Sequence, residues 1–351
     1  MAHQSIPPDE ARVTVGVDTH ADLHVVCVLD RRGRILGTSA FPTTTAGYTA
    51  LEAWVVGFGA VDTFGIGGTG SWGAGLTRWL AARGHALVEV NRPNRSARRR
   101  SGKSDATDAE QAARAVQAGT ATGRPKSADG PVEMLRTLRV ARRSAVKART
   151  QAANQIRALL VTAPDELRRR LAAPTLTKLV PLAAALRPAS TPTIIDTTKL
   201  ALRSLARRHQ HLGEEIALLD VQITKLITHS APHLLAVKGL GVHTASALLI
   251  AAGDNPDRLH SESAFAHLCG VAPLPASSGR TQRHRLNRGG DRAANHALYI
   301  LAVTRMAWEP RTRAYVARRL GEGLTKPEII RCLKRHIARE IYPLLQALHA
   351  P

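Results

Sequence analysis

The chain has 351 residues, 49 of them Lys or Arg against 27 Asp or Glu, which gives a formal net charge of +22 with His neutral. Hydrophobic residues make up 44% and aromatics only 3%, so a globular chain of about two domains is expected, with cores built from Leu, Val, Ile and Ala. General disorder is excluded on these grounds. A charge of this size repels itself unless a polyanion is bound, which points to nucleic acid. The longest apolar runs, such as 244–253, fall well short of the roughly 20 residues a bilayer needs, so no membrane partner is expected. The first fifteen residues lack the apolar stretch of a secretory signal. Cys27, Cys269 and Cys332 are far apart and form no CxxC pair, which argues against a disulfide framework or a zinc site. A reduced, cytoplasmic protein is expected.

In chain order, three β-rich runs come first, at 13–17, 24–30 and 35–41, the last two joined by the turn RRGR. They read as an antiparallel meander. A helix at 45–58, a strand at 61–66, a helix at 71–83 and a strand at 86–90 follow. Three hairpin-linked strands and then alternating helix and strand is the order of an RNase H-like sheet.

The stretch 91–103 holds Arg92, Arg95, Arg98, Arg99, Arg100 and Lys103 and leads into a helix with Ser104 as its N-cap. The cations are candidates to track a nucleic-acid backbone. A solvated charge run followed by dipole-favouring acids accounts for the same residues equally well.

Apolar residues then recur at near-heptad spacing at Met134, Leu138, Ala141, Ala145, Ala148, Ala152 and Leu159, with Gln155 in the seam. After a connection broken by Pro181, Pro188 and Pro192, a second run comprises Leu202, Leu205, His209, Leu212, Ile216, Leu219, Ile223 and Leu226. The two seams can pair within one chain or between chains, and oligomerisation through them is plausible. His209 reads as a register-setting polar residue.

The segment LLAVKGLGVHTASALLIAAGD reads as helix, glycine turn, helix. A helix-hairpin-helix aims free N–H groups at a phosphate, whereas an ordinary αα-corner shares the same pattern. Downstream, a Pro/Gly/Ser loop precedes Arg280, Arg283, His284, Arg285, Arg288 and Arg292. Planar donors around small hydroxyl residues are what a phosphodiester-handling site needs, and Ser277 and Ser278 are the candidate nucleophiles. A basic amphipathic helix, about 326–348, closes the chain.

Two-metal phosphoryl chemistry requires several convergent carboxylates. Asp18 stands where the first strand ends, and Asp105 and Asp108, three apart, share a helix face. On this topology they make a candidate Mg2+ site. A competing pattern, Gly65, Gly67 and Gly70 with Glu89 further on, matches a dinucleotide fingerprint. The meander before it and the sheet that stops after 90 argue against that reading.

The segments GVDTHADLHVVCVLD, GTGSWGAGL, VEVNRP, GKSDATDAEQAARAV and GVAPLPASSGRTQRHRLNRGGDRAANHAL together resemble the DEDD-type insertion-sequence transposases related to the Piv/MooV DNA invertases. The resemblance covers nearly the whole chain. It implies an α/β, RuvC-like RNase H-fold domain over 1–125, a helical coiled-coil linker over 126–230, and an α-helical C-terminal domain over 231–351 with a helix-hairpin-helix and a nucleophilic serine. It further implies Mg2+, double-stranded DNA and a bridge RNA from the element as guide, dimers that pair into tetramers, and work at the nucleoid. Asp18, Asp105 and Asp108 take three places of the tetrad and Ser278 that of the serine. Where the family shows Glu before Gly-Thr-Gly, this sequence has Gly67.

The expected function is that of a DNA recombinase of a mobile element that joins itself to DNA through Ser278, with Arg280, Arg283, Arg285 and Arg288 near the phosphate. Loss of one carboxylate weakens a Mg2+ site, so a catalytically impaired binding copy is one alternative. A RuvC-like nuclease that uses water is the other. Asp22 and Asp62 are the nearby acids that would have to replace Gly67.

Overall fold

The structure is a computed structural model, and it describes residues 12–91, 104–173, 175–190, 193–279 and 284–347. The chain forms two compact units, Met1–Gly130 with Ala252–Leu268, and Pro131–Ala251 with Cys269–Pro351.

The first unit is built on a five-stranded sheet of β1 (Arg12–Thr19), β2 (Leu23–Asp30), β3 (Ile35–Pro42), β4 (Ala60–Gly67) and β5 (Leu87–Val90), in the order β3-β2-β1-β4-β5. β1, β2 and β3 pair antiparallel, and β4 and β5 add in parallel beside β1. This is the RNase H-like order expected from the meander. It differs from a Rossmann unit, because Gly65 and Gly67 lie within a strand and no phosphate turn forms there.

Alternation along β1 sends Val13, Val15 and Val17 to one face, where they pack with Phe64, Ile66, Leu76 and Leu80 under α1 (Thr45–Val56) and α2 (Ala74–Ala81). The first of these helices starts at Thr44, whose side chain accepts from the Gly47 N–H at 3.1 Å. The expected start of the second at residue 71 moves to Ala74, because the Ser71 and Gly73 N–H groups both turn back to the Gly68 carbonyl.

The other face of the sheet carries α3 (Asp105–Gln117), capped by Ser104, which accepts from the Thr107 N–H at 3.2 Å. Cys27, Leu29, Ala109 and Ala113 make the small core there. Small residues are required. A Cβ added at Gly16 would stand 2.0 Å from the Ala109 carbonyl oxygen and 2.3 Å from the Ala113 nitrogen. Residues 252–268 close this unit from far along the chain. Arg124 pairs with Asp257 at 2.7 Å, and the Asn255 side chain donates to the Pro125 carbonyl at 3.0 Å and accepts from the Ser127 N–H.

The second unit is helical. α4 (Pro131–Thr162) and α7 (Ile194–Ser230) pack along each other, with α5 (Asp165–Arg170) and α6 (Leu176–Ala184) folded over their end. The seams expected from the heptads thus pair within one chain, around Ile156, Leu202 and Ala206. An Arg142–Asp220 ion pair ties the other end. Ala145 and Ala152 of the expected first seam are buried, but Leu135 and Ile156 are buried with them, whereas Met134 and Gln155 face solvent.

A one-turn helix α8 (Pro232–Leu235) leads through Gly239, at φ +86°, to α9 (Val242–Ala252), which is buried nearly all round. Then come α10 (Glu262–Leu268), a two-stranded ribbon of β6 (Leu274–Pro275) and β7 (His284–Arg285), and α11 (Arg292–Trp308), α12 (Pro310–Gly321) and α13 (Lys326–Gln346). Arg305 and Glu340 join α11 to α13 by two hydrogen bonds of 2.7 Å. No described helix is long and apolar enough to cross a membrane.

Candidate functional site

The site starts from Gly16. With no side chain there, the α3 backbone settles onto β1, and the next residue on the same strand face, Asp18, meets the first turn of that helix. Asp105 and Asp108 occupy that turn, where the helix N-terminus favours negative charge. Asp108 is buried, Asp18 half-buried and Asp105 exposed. Asp18 and Asp105 come within reach of one another there, and Asp108 is near enough for its charge to act on Asp18, though it is not among the convergent donors.

Sequence reasoning missed His20. Its Nε2 lies 3.1 Å from Asp18 Oδ2 and 3.4 Å from Asp105 Oδ1. One donor atom each from Asp18, His20 and Asp105 lies within 4.8 Å of the others. Its place two residues after Asp18 in VDTH, the spacing of a shared strand face, was the available signal. Burial holds the Asp18 carboxyl above the usual carboxylate range; His20 opposes this, and the Asp108 and Asp105 charges add to it. One imidazole nitrogen and carboxylate oxygens converging in this way make a donor set that suits a divalent cation.

Gly67 ends β4 beside this cluster. Its backbone is fixed by Thr19, whose hydroxyl donates to the Gly67 carbonyl at 2.9 Å. A Cβ here would meet only the Val17 carbonyl oxygen, at an ordinary 3.6 Å. Among the described residues, no acid besides Asp18 and Asp105 joins the group of convergent donors. Asp62 opens the same strand, roughly 16 Å away at strand rise, and pairs with Arg12 at 2.8 Å. Asp22 is exposed on the β1–β2 turn, outside the group of convergent donors. Glu89 pairs in register with Ile66, which pairs with Val17, so it shares their face, opposite Asp18, and accepts from the Thr69 hydroxyl at 2.9 Å.

In the second unit, Ser277 and Ser278 are exposed on the loop that joins the two short strands of the ribbon. Arg285 lies on the returning strand, in register with Leu274, and Arg288 follows on the next loop. Both are exposed. Arg280 and Arg283, like Arg92, Arg95, Arg98, Arg99, Arg100 and Lys103, lie outside the described residues.

Comparison with known proteins places these features. Residues 15–163 match a family model described as "Transposase", which carries the DEDD and IS110 designations, and residues 231–317 match "Transposase IS116/IS110/IS902 family". The first spans the sheet and the three acids, and the second spans the serine loop; together they cover about two thirds of the chain. The chain belongs to the IS110 family of transposases.

Relatives of this transposase include an insertion element IS110 43.6 kDa protein of Streptomyces coelicolor, 30% identical over 43% of this chain and 38% of its own length. An insertion element IS900 42 kDa protein of Mycobacterium paratuberculosis is 26% identical over 44% of this chain and 40% of its length. The pilin gene-inverting protein of Moraxella bovis is 29% identical over 39% of this chain and 45% of its length. The chain therefore matches less than half the length of each of these relatives. The first matched segment holds the acid cluster, in which donor atoms of Asp18, His20 and Asp105 converge.

Proposed function

We propose that this protein cuts and rejoins DNA for an insertion sequence through a covalent link at Ser278, with Mg2+ at the acid cluster and a bridge RNA as guide. The observation that carries the reading is the convergence of Asp18, Asp105 and His20 above buried Asp108 on an RNase H-like sheet, in a chain whose serine loop matches a transposase model. The net charge of +22 supports nucleic-acid partners.

Asp18, Asp105 and Asp108 would hold the metal, with His20 as a further donor. When bound, Mg2+ supplies Lewis-acid polarisation of a phosphodiester. The Ser278 oxygen attacks phosphorus, the P–O bond to the departing deoxyribose oxygen breaks, that oxygen takes a proton from solvent, and the serine proton leaves to solvent. A phosphoserine ester results. It preserves the phosphoester bond, so a free DNA hydroxyl can reverse the step and rejoin strands without ATP. Arg285 and Arg288, with Arg280 and Arg283, are assigned to the phosphate, and the 92–103 cations to the nucleic-acid backbone. In this reading residues 1–125 carry the RuvC-like chemistry, 126–230 the oligomerising linker, and 231–351 the serine and a helix-hairpin-helix around Gly239. The working form is a dimer or tetramer on nucleoid DNA in the cytoplasm.

The test is a denaturing gel of purified protein with Mg2+, labelled element-junction DNA and RNA from the element's end. A protein–DNA adduct that survives detergent and disappears in Ser278→Ala supports the reading. Cleavage that persists in Ser278→Ala, without adduct, supports hydrolysis by water instead. Gly67 favours a second reading, an impaired copy that binds nucleic acid without cutting; an adduct seen only with Gly67→Glu would establish it.

A further inference from the structure

Trp72 is the most exposed of the four tryptophans, at 61%. The others have other settings. Trp54 packs against Phe41 and Phe58, Trp79 packs against Tyr48 with Arg83 over its ring, and Trp308 is less exposed at 43%. Trp72 has no ring partner among the described residues. A chain with so few aromatics that leaves its largest side chain in water, on a loop, presents a flat apolar surface for something else to cover.

The loop that carries it is held in place. It follows Gly67 at the end of β4, and the Gly68 carbonyl accepts from the Ser71 N–H at 2.8 Å and the Gly73 N–H at 3.1 Å. Thr19 fixes Gly67, and Glu89 fixes Thr69. The turn is so tight that a Cβ at Gly73 would stand 2.8 Å from the Gly67 carbonyl oxygen. The indole is thus presented on a preorganised turn, five residues beyond the position that neighbours Asp18. A rigid aromatic loses little conformational entropy on binding.

We propose that Trp72 is a stacking platform for an unpaired nucleobase of the strand held at the acid cluster. The inference rests on the nucleic-acid reading above and adds to it the form of the substrate at that point: single-stranded. A duplex keeps its bases stacked on one another, whereas an unpaired base offers the π-face that an indole takes, whatever its identity. The net charge of +22 favours binding of phosphates, and stacking then supplies the preference for an open strand over a closed one.

The test uses the full chain and fluorescence anisotropy with labelled 20-nucleotide single-stranded DNA, single-stranded RNA and duplex DNA, for wild type, Trp72→Ala and Trp72→Phe. Trp72→Ala should lose roughly 10- to 100-fold in affinity for one or both unpaired strands, while the salt dependence and the duplex affinity stay as in wild type, and Trp72→Phe should keep most of the binding. Which unpaired strand loses affinity tells DNA from RNA. In wild type, 2-aminopurine in the unpaired strand should be quenched on binding, a readout independent of how the variants fold. Equal affinities in wild type and Trp72→Ala, or an unquenched 2-aminopurine in a bound strand, would overturn the proposal while leaving nucleic-acid binding intact. A wild-type chain that binds none of the three would sink both readings. A change in self-association in Trp72→Ala with unchanged binding would assign the indole to a second copy instead.

Discussion

Gly16 lies so close beneath Ala109 that the helix carbonyl would be 2.0 Å from any Cβ placed on the strand. This contact sets the height at which α3 rides above the sheet, and so where Asp105 and Asp108 stand relative to Asp18. Gly16→Ala should cost about 3 kcal/mol, as overpacking of a tight contact does, and should also weaken metal binding. Urea denaturation and a metal titration of the same variant check both; a loss of stability with unaltered metal affinity would separate packing from site geometry.

Burial of Asp18 disfavours its ionised form in the fold. Because the folded Asp18 carboxyl titrates above its unfolded value, the folded state binds that proton more tightly, and the group's contribution to stability falls as pH rises from the unfolded value toward the raised one. Asp18→Asn should therefore raise the melting temperature at neutral pH in chelator, and remove the extra stabilisation that Mg2+ gives the wild type. Calorimetry with and without metal reads both signs.

At Gly67 there is room for a side chain, with one contact at 3.6 Å. Gly67→Glu should fold within about 1 kcal/mol of the wild type in chelator and show a larger Mg2+-induced rise in melting temperature. An unchanged response would mean that the added carboxylate does not reach the metal.

His20 brings nitrogen to an oxygen-rich site. Imidazole favours transition metals over Mg2+, so His20→Ala should lower Mn2+ affinity several-fold more than Mg2+ affinity. Competition titration followed by Mn2+ electron paramagnetic resonance measures the ratio.

In the second unit, α7 is capped by Thr193, and Asp196 in its first turn accepts from the Thr193 hydroxyl at 2.6 Å, from the Ala189 N–H at 3.0 Å and from Lys199 at 3.0 Å. These bonds hold its carboxyl down to about 2. A depressed value stabilises the fold above the unfolded range and is lost as pH falls through the folded one. The stability difference between wild type and Asp196→Asn should be full at neutral pH and vanish as pH drops from about 4 to about 2. Urea midpoints across that range check it.

Much of this was readable from the sequence where local chemistry decides. The RRGR turn, the strand alternation and the Ser104 cap gave the sheet order and the start of α3, hence the Asp18, Asp105 and Asp108 group. The seam of α4 was read correctly at Ala145 and Ala152 but not at its start, since an Ala-rich helix offers several stripes of similar apolarity and only its partner selects Leu135 over Met134 and adds Ile156. His20 was passed over because its only signal, the two-residue spacing from Asp18, is shared by many strand-end pairs that hold nothing. Trp72 was invisible as a feature because exposure follows from the Gly68 turn, which shortens the helix expected from residue 71. The attachment of 252–268 depends on pairs such as Arg124 and Asp257, separated by 133 positions, for which no local pattern exists.

That attachment bears on how the protein is made. Residues 252–268, with Phe265 and Ala266 fully buried, complete a unit whose sheet was synthesised some 160 residues earlier. The acid cluster therefore emerges from the ribosome long before its own unit can close. Translation that stops early leaves the carboxylates on a unit that lacks its last-made segment, which is added only after the helical unit has been read through.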